Sequence, residues 1–329
     1  LVTIREVAEE AKVSIATVSR VLNNKSVKKE TLDHVKSVME KLNYQPNQIA
    51  RSLSKRQTKT IALIIPSINN PFFPELASSI ENIANEYGFK VFLYNTEDNY
   101  EKLTNYIDSL GSSYIDGVII NSDILDEKHL DKFKKYDIPV VRIDRSGEND
   151  GFTSISVNNK LGGQMATQHL LEIGCKRIGH LKGPENIDTA INRLWGYRTV
   201  LKDFDWFDQS WIAPGEYSVL GGYKGMKELL IRHPDIDGVF AANDLAAIGA
   251  VKAAYEWKKK IPDELSIIGF DGIDMVKYMV PSITTISQPL SKMGEIAMKE
   301  LMKLIENPKS VIRKFEFDLK LIQHESTMR

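Results

Sequence analysis

Val2-Thr3-Ile4-Arg5-Glu6-Val7-Ala8, followed by Val13-Ser14-Ile15-Ala16-Thr17-Val18-Ser19-Arg20-Val21-Leu22-Asn23, is the stretch from which the rest can be read. Thr3 with Glu6 three residues on is a capping box: the hydroxyl accepts the N3 backbone N–H while the carboxylate reaches back to the cap. Ile4, Val7, Ala8 and Ala11 then fall at i, i+3, i+4 and i+7, one apolar stripe. Lys12-Val13 predicts a tight break, and Ser14 is a good N-cap for a second helix running to about Leu22, with Val18, Val21 and Leu22 inward. After the polar stretch 23–29, Leu32, Val35, Val38, Met39 and Leu42 predict a third helix, and Pro46 ends the unit. Two capped helices joined by a tight turn and braced by a third form a helix-turn-helix arrangement. Ile15, Ala16, Ser19 and Arg20 lie off the apolar face of the second helix. An arginine there can donate twice to guanine O6 and N7, hydroxyls can bind phosphate, and small apolar groups can touch a thymine methyl. The same face also suits the solvated side of an ordinary three-helix bundle, and Ile15, three residues before Val18, also suits its core.

Charge separates this head from the remainder. Residues 1–60 hold 12 Lys/Arg against 6 Asp/Glu, leaving 31 against 38 in the rest, within a chain of 329 residues and net charge −1. A basic head on an acidic body suits a head that meets a polyanion. With 42% hydrophobic residues the chain can bury real cores, and its length fits two or three domains. No apolar run reaches the roughly 18–20 residues of a membrane span. Leu1-Val2-Thr3-Ile4-Arg5-Glu6 carries charges and no apolar core, so no secretory signal is expected. A single cysteine, Cys175, excludes an internal disulfide and fits a reducing compartment. A cytoplasmic, nucleoid-associated protein without cofactor or metal is expected.

From Thr60 onward β-branched runs alternate with amphipathic helical stretches: strands at 61–65, 91–94, 117–120, 140–143 and 155–157, with helices over 73–87 and 100–110. The rhythm restarts with a helix over 161–173 and strands at 178–181, 238–241 and 265–270. Apolar strands joined by crossover helices predict parallel sheets covered on both faces. The pattern occurs twice, which predicts two similar α/β lobes with a cleft between them.

The head resembles that of the lactose-repressor (LacI/GalR) family, and Leu42-Asn43-Tyr44-Gln45-Pro46-Asn47 with Ala50-Arg51-Ser52-Leu53 is similar to that family's hinge signature. The resemblance implies an all-α helix-turn-helix head (1–46), a hinge helix and linker (47–59), and a two-lobed effector-binding and dimerisation body (60–329) of periplasmic-binding-protein type I. Its doubly wound parallel-sheet lobes would take about 60–158 and 289–318, and about 159–288 and 319–329. The resemblance places Ile15, Ala16 and Arg20 at base edges, and Thr17, Ser19 and Asn23 on the backbone of double-stranded operator DNA. Thr3, Asn47, Ala50, Leu53 and Lys55 complete the expected DNA-binding set. Physically, 47–56 is too short for an isolated helix, which needs about 12–15 residues. Ile49 and Leu53 must therefore be covered by something. The resemblance implies a second hinge helix in the minor groove with Leu53 wedged between bases; docking of Leu53 onto the body is the alternative. A two-fold symmetric homodimer on a near-palindromic operator is expected, and without a leucine heptad after Ile322 no tetramer.

In parallel α/β sheets ligands bind beyond the carboxyl ends of the strands. There the sequence offers Asn69, Asn70, Pro71, Phe72 and Phe73, then Asp144 and Arg145, Asn243 and Asp244, Asp271, and Gln288. Planar amides, carboxylates and guanidinium groups can bond vicinal hydroxyls, and aromatic rings can stack on a sugar's C–H face. Asp244, directly before a predicted helix, reads instead as a turn or cap residue. The set is similar to that of ribose-binding proteins and ribose-type repressors. That likeness implies sugar contacts at Asn70, Phe72, Phe73, Asp144, Arg145, Arg193, Asn243, Asp271 and Gln288, with Tyr217 as an aromatic wall. One departure is that many relatives have Asp-Asn before the Gly-Gly pair, where this chain has Val157-Asn158 before Gly162-Gly163. Sucrose-type repressors share the Phe-Phe and Asp-Gly features, so another furanose competes with ribose.

Asp144 and Asp271 could also be a glycosidase pair, but Arg145 and Arg193 in the same cleft would hold both ionised, and one must stay protonated. Gly221-Gly222-Tyr223-Lys224-Gly225 has neither phosphate-loop spacing, and no His/Cys/carboxylate cluster has metal spacing. Three readings remain: a sugar-responsive repressor, which is expected; a global catabolite regulator acting with a phosphocarrier protein; and a sugar-binding transport protein.

Overall fold

The computed structural model describes residues 2–23, 25–44, 58–112, 115–143 and 151–329. They divide into two compact units, Leu1–Lys59 and Thr60–Arg329. In the first, helices α1 (Ile4–Glu10), α2 (Ile15–Leu22) and α3 (Lys29–Lys41) enclose a small core of Val7, Ala8, Ala11, Val18, Val21, Val35 and Val38. The capping box is formed: Thr3 N donates to Glu6 Oε2 at 2.6 Å, and Glu6 N to Thr3 Oγ1 at 3.4 Å. Lys12 takes φ 51°, so the predicted break is a single left-handed residue. Ser14 caps α2 by accepting from Thr17 N at 3.1 Å.

The second unit holds two six-stranded sheets in the order β11-β5-β4-β3-β1-β2 and β12-β10-β9-β8-β6-β7. Their strands are β1 (Thr60–Ile65), β2 (Lys90–Asn95), β3 (Gly117–Ile120), β4 (Val140–Ile143), β5 (Thr153–Val157) and β11 (Lys314–Phe317), then β6 (Ile178–Lys182), β7 (Ile212–Pro214), β8 (Gly238–Ala241), β9 (Ser266–Asp271), β10 (Thr284–Ser287) and β12 (Lys320–Ile322). All pairs are parallel except β10 with β12. All six residues of β1 are buried, as a strand covered on both faces requires. Helices α4 (Phe72–Glu86), α5 (Tyr100–Ser112), α6 (Glu127–Lys135) and α11 (Leu290–Glu306) pack with the first sheet. Helices α7 (Asn159–Glu172), α8 (Asp188–Leu201), α9 (Val219–Arg232) and α10 (Asp244–Glu256) pack with the second. The chain passes between the lobes three times: from β5 to α7, from β10 to α11, and from β11 to β12. A helical head with two doubly wound lobes is the expected fold class.

Helix α7 starts earlier than the apolar periodicity predicts, at Asn159, because Asn158 caps it by accepting from Leu161 N at 3.0 Å. Glycines let it pack closely against α8. A Cβ on Gly163 would lie 2.3 Å from the Arg193 carbonyl oxygen, and one on Gly196 would lie 2.2 Å from that of Lys160. Helices α9 and α10 repeat the device, with a Gly222 Cβ 2.1 Å from Ala246 O and a Gly249 Cβ 2.0 Å from Val219 O. The glycine-rich run at 221–225 is thus a helix-packing surface. Gly163→Ala should force α7 and α8 apart and cost about 1–3 kcal/mol, the scale of overpacking a tight interior. Denaturant titration would read it, and parent-like stability would show the contact to be loose.

His180, in the middle of β6, is stacked between Tyr197 and Phe240 with ring centroids 4.9 and 4.7 Å away. Its Nδ1 lies 2.9 Å from the Phe240 carbonyl, and its Nε2 has no partner among the described residues. Burial in this apolar sandwich holds the imidazole neutral down to about 3. An unfolded histidine protonates at about 6.5. Below that pH the unfolded chain therefore takes up a proton that the native one refuses, and stability present above pH 6.5 is lost as pH falls. At pH 5 the loss is about 2 kcal/mol for this group alone. His180→Leu should flatten the dependence of stability on pH between 7 and 5 relative to the parent; an unchanged slope would mean that His180 is protonated in the native state.

Candidate functional site

On the head, Ile15 is 46% exposed, so it belongs to the outward face of α2 and not to the core. Ala16 and Arg20 are exposed beside it, while Thr17 and Ser19 are half-buried. Part of the expected set already has local work. Thr3 caps α1, Thr17 Oγ1 lies 2.9 Å from Ser14 Oγ, and Asn23 Nδ2 donates to the Ser19 carbonyl at 2.8 Å, closing α2. Each can still present its outer atoms to a phosphate, so α2 offers Ile15, Ala16 and Arg20 as a protruding edge with shorter polar groups around it. Asn47, Ala50, Leu53 and Lys55 lie outside the described residues, as do Asp144 and Arg145 in the body.

In the body, one cavity of about 280 Å3 is lined from both lobes. That is near the lower end of the roughly 300–1,000 Å3 typical of small-molecule sites. The first lobe contributes Asn70, Phe72 and Phe73, where β1 gives way to α4. Asn70 Oδ1 accepts from Phe72 N at 3.1 Å and turns the chain so that both rings follow at once. The rings meet edge to face, 5.1 Å apart at 87°, so a ligand finds one ring face and one ring edge. The second lobe contributes Arg193, Tyr217, Asn243 and Asp271.

Arg193 sits at the middle of this half-site with only 3% exposure. Its Nε donates to Asn159 Oδ1 at 2.8 Å and its Nη1 to the Ala242 carbonyl at 2.6 Å; Nη1 is also 3.1 Å from Asp271 Oδ1. The guanidinium lies 3.6 Å from the centre of the Phe270 ring and 5.5 Å from that of Tyr217. It is a planar donor held by its edge between aromatic faces. Burial pushes the Asp271 carboxyl up, and Arg193 and Gln288 pull it back.

Asp271 stands in a left-handed conformation, φ 112°, followed by Gly272 at φ 79°. Asp244 holds that turn: its Oδ2 accepts from Gly272 N at 2.7 Å and Ile273 N at 2.9 Å, and its Oδ1 from Thr285 Oγ1 at 2.7 Å. Burial and the Asp271 carboxylate push the Asp244 carboxyl well above the usual range, while these three donors oppose the shift. The local cap expected of Asp244 falls to Asn243 instead, and Asp244 holds a turn 28 residues further along the chain. Asn243 lines the cavity but is largely occupied: its Oδ1 caps α10 through Ala246 N at 2.9 Å, and its Nδ2 donates to Tyr217 O at 3.2 Å. Gln288 is not among the cavity's lining residues. It stands behind Asp271, donating from Nε2 to Oδ1 at 2.9 Å, and its Oε1 has no partner among the described residues.

Further residues line the cavity that the sequence reading missed. Asn121, 4% exposed, follows β3 directly, and its Nδ2 has no partner among the described residues. The strand-end rule, applied to β3 as to its neighbours, would have found it. Asp98, Asp123, Thr189 and Glu216 add to the lining. Thr189 Oγ1 lies 3.2 Å from Tyr217 Oη and steadies that ring.

This arrangement favours binding over chemistry. Asp271 is engaged by a cation and an amide, which ties up its carboxylate. Cys175 donates to the Asp237 carbonyl at 3.3 Å, and burial pushes its thiol up to about 11, which keeps it from acting as a thiolate. Among the described residues no His/Cys/Asp/Glu cluster could hold a metal ion, and no helix is long and apolar enough to cross a membrane.

The comparisons agree with both halves. Residues 3–47 match the bacterial regulatory proteins of the lacI family, and residues 58–325 match the periplasmic binding proteins and sugar binding domain of the LacI family. A ribose operon repressor from Halalkalibacterium halodurans is 40% identical over 328 residues, 99% of this chain and 97% of that protein. A LacI family transcriptional regulator from Enterococcus faecium, solved with bound ribose, is 28% identical with a TM-score of 0.74, covering 81% of this chain and 98% of that one. The lac repressor dimer bound to operator and the anti-inducer ONPF is 25% identical with a TM-score of 0.89, covering 100% and 99%. Reading helix, buried arginine and two-lobed cavity therefore belong together: the chain is a member of the LacI family of bacterial regulatory proteins, a DNA-binding transcriptional regulator and not an enzyme.

Proposed function

We propose that this chain represses a carbohydrate operon and releases its operator when an unphosphorylated furanose, ribose first, binds between the lobes. The observation that carries the reading is the small cavity shared by both lobes, with Phe72 and Phe73 on one wall and Arg193 and Asp271 on the other. Rings take the C–H face of a sugar, and fork-shaped polar groups take its vicinal hydroxyls. Among the described lining residues Asp98, Asp123, Glu216 and Asp271 face a single cation, Arg193. A phosphate would meet that acidic surplus, and juxtaposed like charges cost several kcal/mol. The similarity to a ribose operon repressor and to a ribose-bound regulator supports the pentose over a larger sugar. A ligand that touches both lobes favours the closed form only by its differential affinity for it, typically a coupling of about 1–3 kcal/mol.

The DNA side follows from α2. Arg20 can take a guanine edge, Ile15 and Ala16 can cover thymine methyls, and Leu53 of the hinge wedges the central base step. One such reader cannot bind two half-sites, so the working unit is a homodimer. Phe92 (52% exposed) on the edge strand β2 and Val280 (90% exposed) in the second lobe are apolar groups that an interface between copies would cover.

Calorimetry with ribose, ribose phosphates, fructose and sucrose should show binding of ribose and none of its phosphates. A gel shift should show operator release at the same ribose concentration. Arg193→Ala should abolish that release at millimolar ribose. A parent that binds none of these sugars, or holds DNA more tightly with ribose present, overturns the reading. Leu53→Ala should weaken operator binding by a few kcal/mol, the scale of unstacking one base step, while ribose still binds; unchanged DNA bending by the variant would remove the wedge. Raising salt from 50 to 200 mM should weaken operator binding steeply, as phosphate neutralisation requires.

A further inference from the structure

We infer that Asn159, a residue outside the cavity, positions Arg193 by bridging the first crossover between the lobes; its bearing on ligand affinity rests on the sugar reading above. Asn159 is the first residue of α7, immediately beyond the passage out of β5, and is 6% exposed. Its side chain faces both ways. Oδ1 accepts from Arg193 Nε at 2.8 Å in the second lobe, and Nδ2 donates to the Val157 carbonyl at 3.4 Å, the last residue of β5 in the first. An amide suits both partners: Arg193 Nε is a donor and Val157 O an acceptor, and a carboxylate cannot donate while an aliphatic side chain can do neither.

The placement is built into the helix pair. Asn159 and Gly163 are four residues apart and share one face of α7. The Arg193 backbone rests on Gly163, where any Cβ would lie 2.3 Å from its carbonyl oxygen, and its side chain runs back one turn to Asn159. The remaining anchors shown for the guanidinium, Ala242 O and Asp271 Oδ1, both take Nη1. Asn159 therefore anchors the guanidinium at Nε, the end away from the Nη1 contacts. A turn of the lobes about this crossover moves Val157 relative to Arg193 and pulls on the amide between them. Sugar orientation and lobe angle thereby share one side chain.

The test compares the parent, Asn159→Leu, Asn159→Asp and Arg193→Ala as full chains with two readouts. The first is exchange of the Arg193 Nε proton, followed by NMR without sugar. The second is ribose affinity by calorimetry, with melting curves as the check on folding. Removing the acceptor in Asn159→Leu should speed the exchange at least tenfold and weaken ribose at least tenfold. Asn159→Asp, which keeps the acceptor but loses the donor to Val157, should exchange slowly yet bind ribose at least threefold more weakly, because the bridge is cut. Slow exchange in a folded Asn159→Leu, or fast exchange in Asn159→Asp, overturns the inference. Should Asn159→Leu fail to fold, the Asn159→Asp exchange rate decides on the same criterion. A parent that ignores ribose removes the sugar reading instead, and the exchange rates still judge Asn159.

Discussion

A guanidinium cannot be neutralised by giving up its proton, so one that is buried must be surrounded by acceptors and a counter-charge. Arg193 imposes that demand on the second lobe. Asn159, Ala242 and Asp271 supply the acceptors, from the start of α7, the end of β8 and the end of β9. Three elements far apart in sequence are thereby drawn to one point. Asp271 must in turn be turned inward, which needs its left-handed backbone, and Asp244 holds that turn through two backbone N–H groups. The glycines at 163 and 196 let α8 approach closely enough for the arginine to reach. Losing any one of these leaves a buried charge short of partners, which is worth several kcal/mol.

The two lobes repeat one another at the cleft with different chemistry. Each sheet ends in an edge strand, β2 or β7, and each is followed by two consecutive left-handed residues: Glu97 and Asp98 at φ 54° and 50°, Glu216 and Tyr217 at 51° and 49°. Each pair is followed by a side chain that caps the next helix, with Asn99 accepting from Lys102 N and Ser218 from Gly221 N. Left-handed backbone costs a non-glycine residue about 1–2 kcal/mol, so four such residues lining or flanking one cavity mark a functional constraint. Asp98 and Tyr217 occupy equivalent places and both line the cavity. At these equivalent places one lobe thus offers an acid and the other a ring.

What the sequence made legible follows from the range of each interaction. The capping box, the helix break at Lys12 and the alternation of strands with crossover helices are local, and each was readable. So was the polar function of strand ends, which led to Asn70 and Asp271, whereas Arg193, in the middle of α8, was reached only through the family resemblance. The errors concern partnership over long separations. Gln288 reads as a ligand contact because it follows a strand, but it is turned toward Asp271 and stands behind it. Asn243 lines the cavity, but the bonds at both ends of its amide, to Ala246 N and Tyr217 O, are not legible in the sequence. Asn159 gives no signal at all, since its partner is 34 residues away and its spacing to Gly163 has meaning only once α8 is known to lie there. Asp98 and Glu216 were missed because the sequence reading did not follow the turns after β2 and β7, where both stand in left-handed backbone.

The lobes also touch outside the cavity. Glu75 lies on α4, one turn beyond the rings of Phe72 and Phe73, and its Oε1 accepts from the backbone N–H of Asp274 in the second lobe at 2.9 Å. Burial pushes the Glu75 carboxyl up, the Asp274 carboxylate adds to that, and the backbone bond and Lys277 oppose it. A carboxylate that gives up hydration for one N–H contributes modestly to closure, on the order of 1 kcal/mol. Closure therefore has its own favourable contact, and the ligand need supply only the rest of the difference between open and closed forms. The same helix carries both parts: its start presents rings to the cavity and its next turn presents a carboxylate to the opposite lobe. With Arg193 tied to the first crossover through Asn159 and Asp271 to the second through Gln288, the charges of the second half-site cannot adjust to a ligand without loading the segments about which the lobes turn. Recognition and closure are thus one mechanical event, and a ligand too small to reach both half-sites has no means of favouring the closed form.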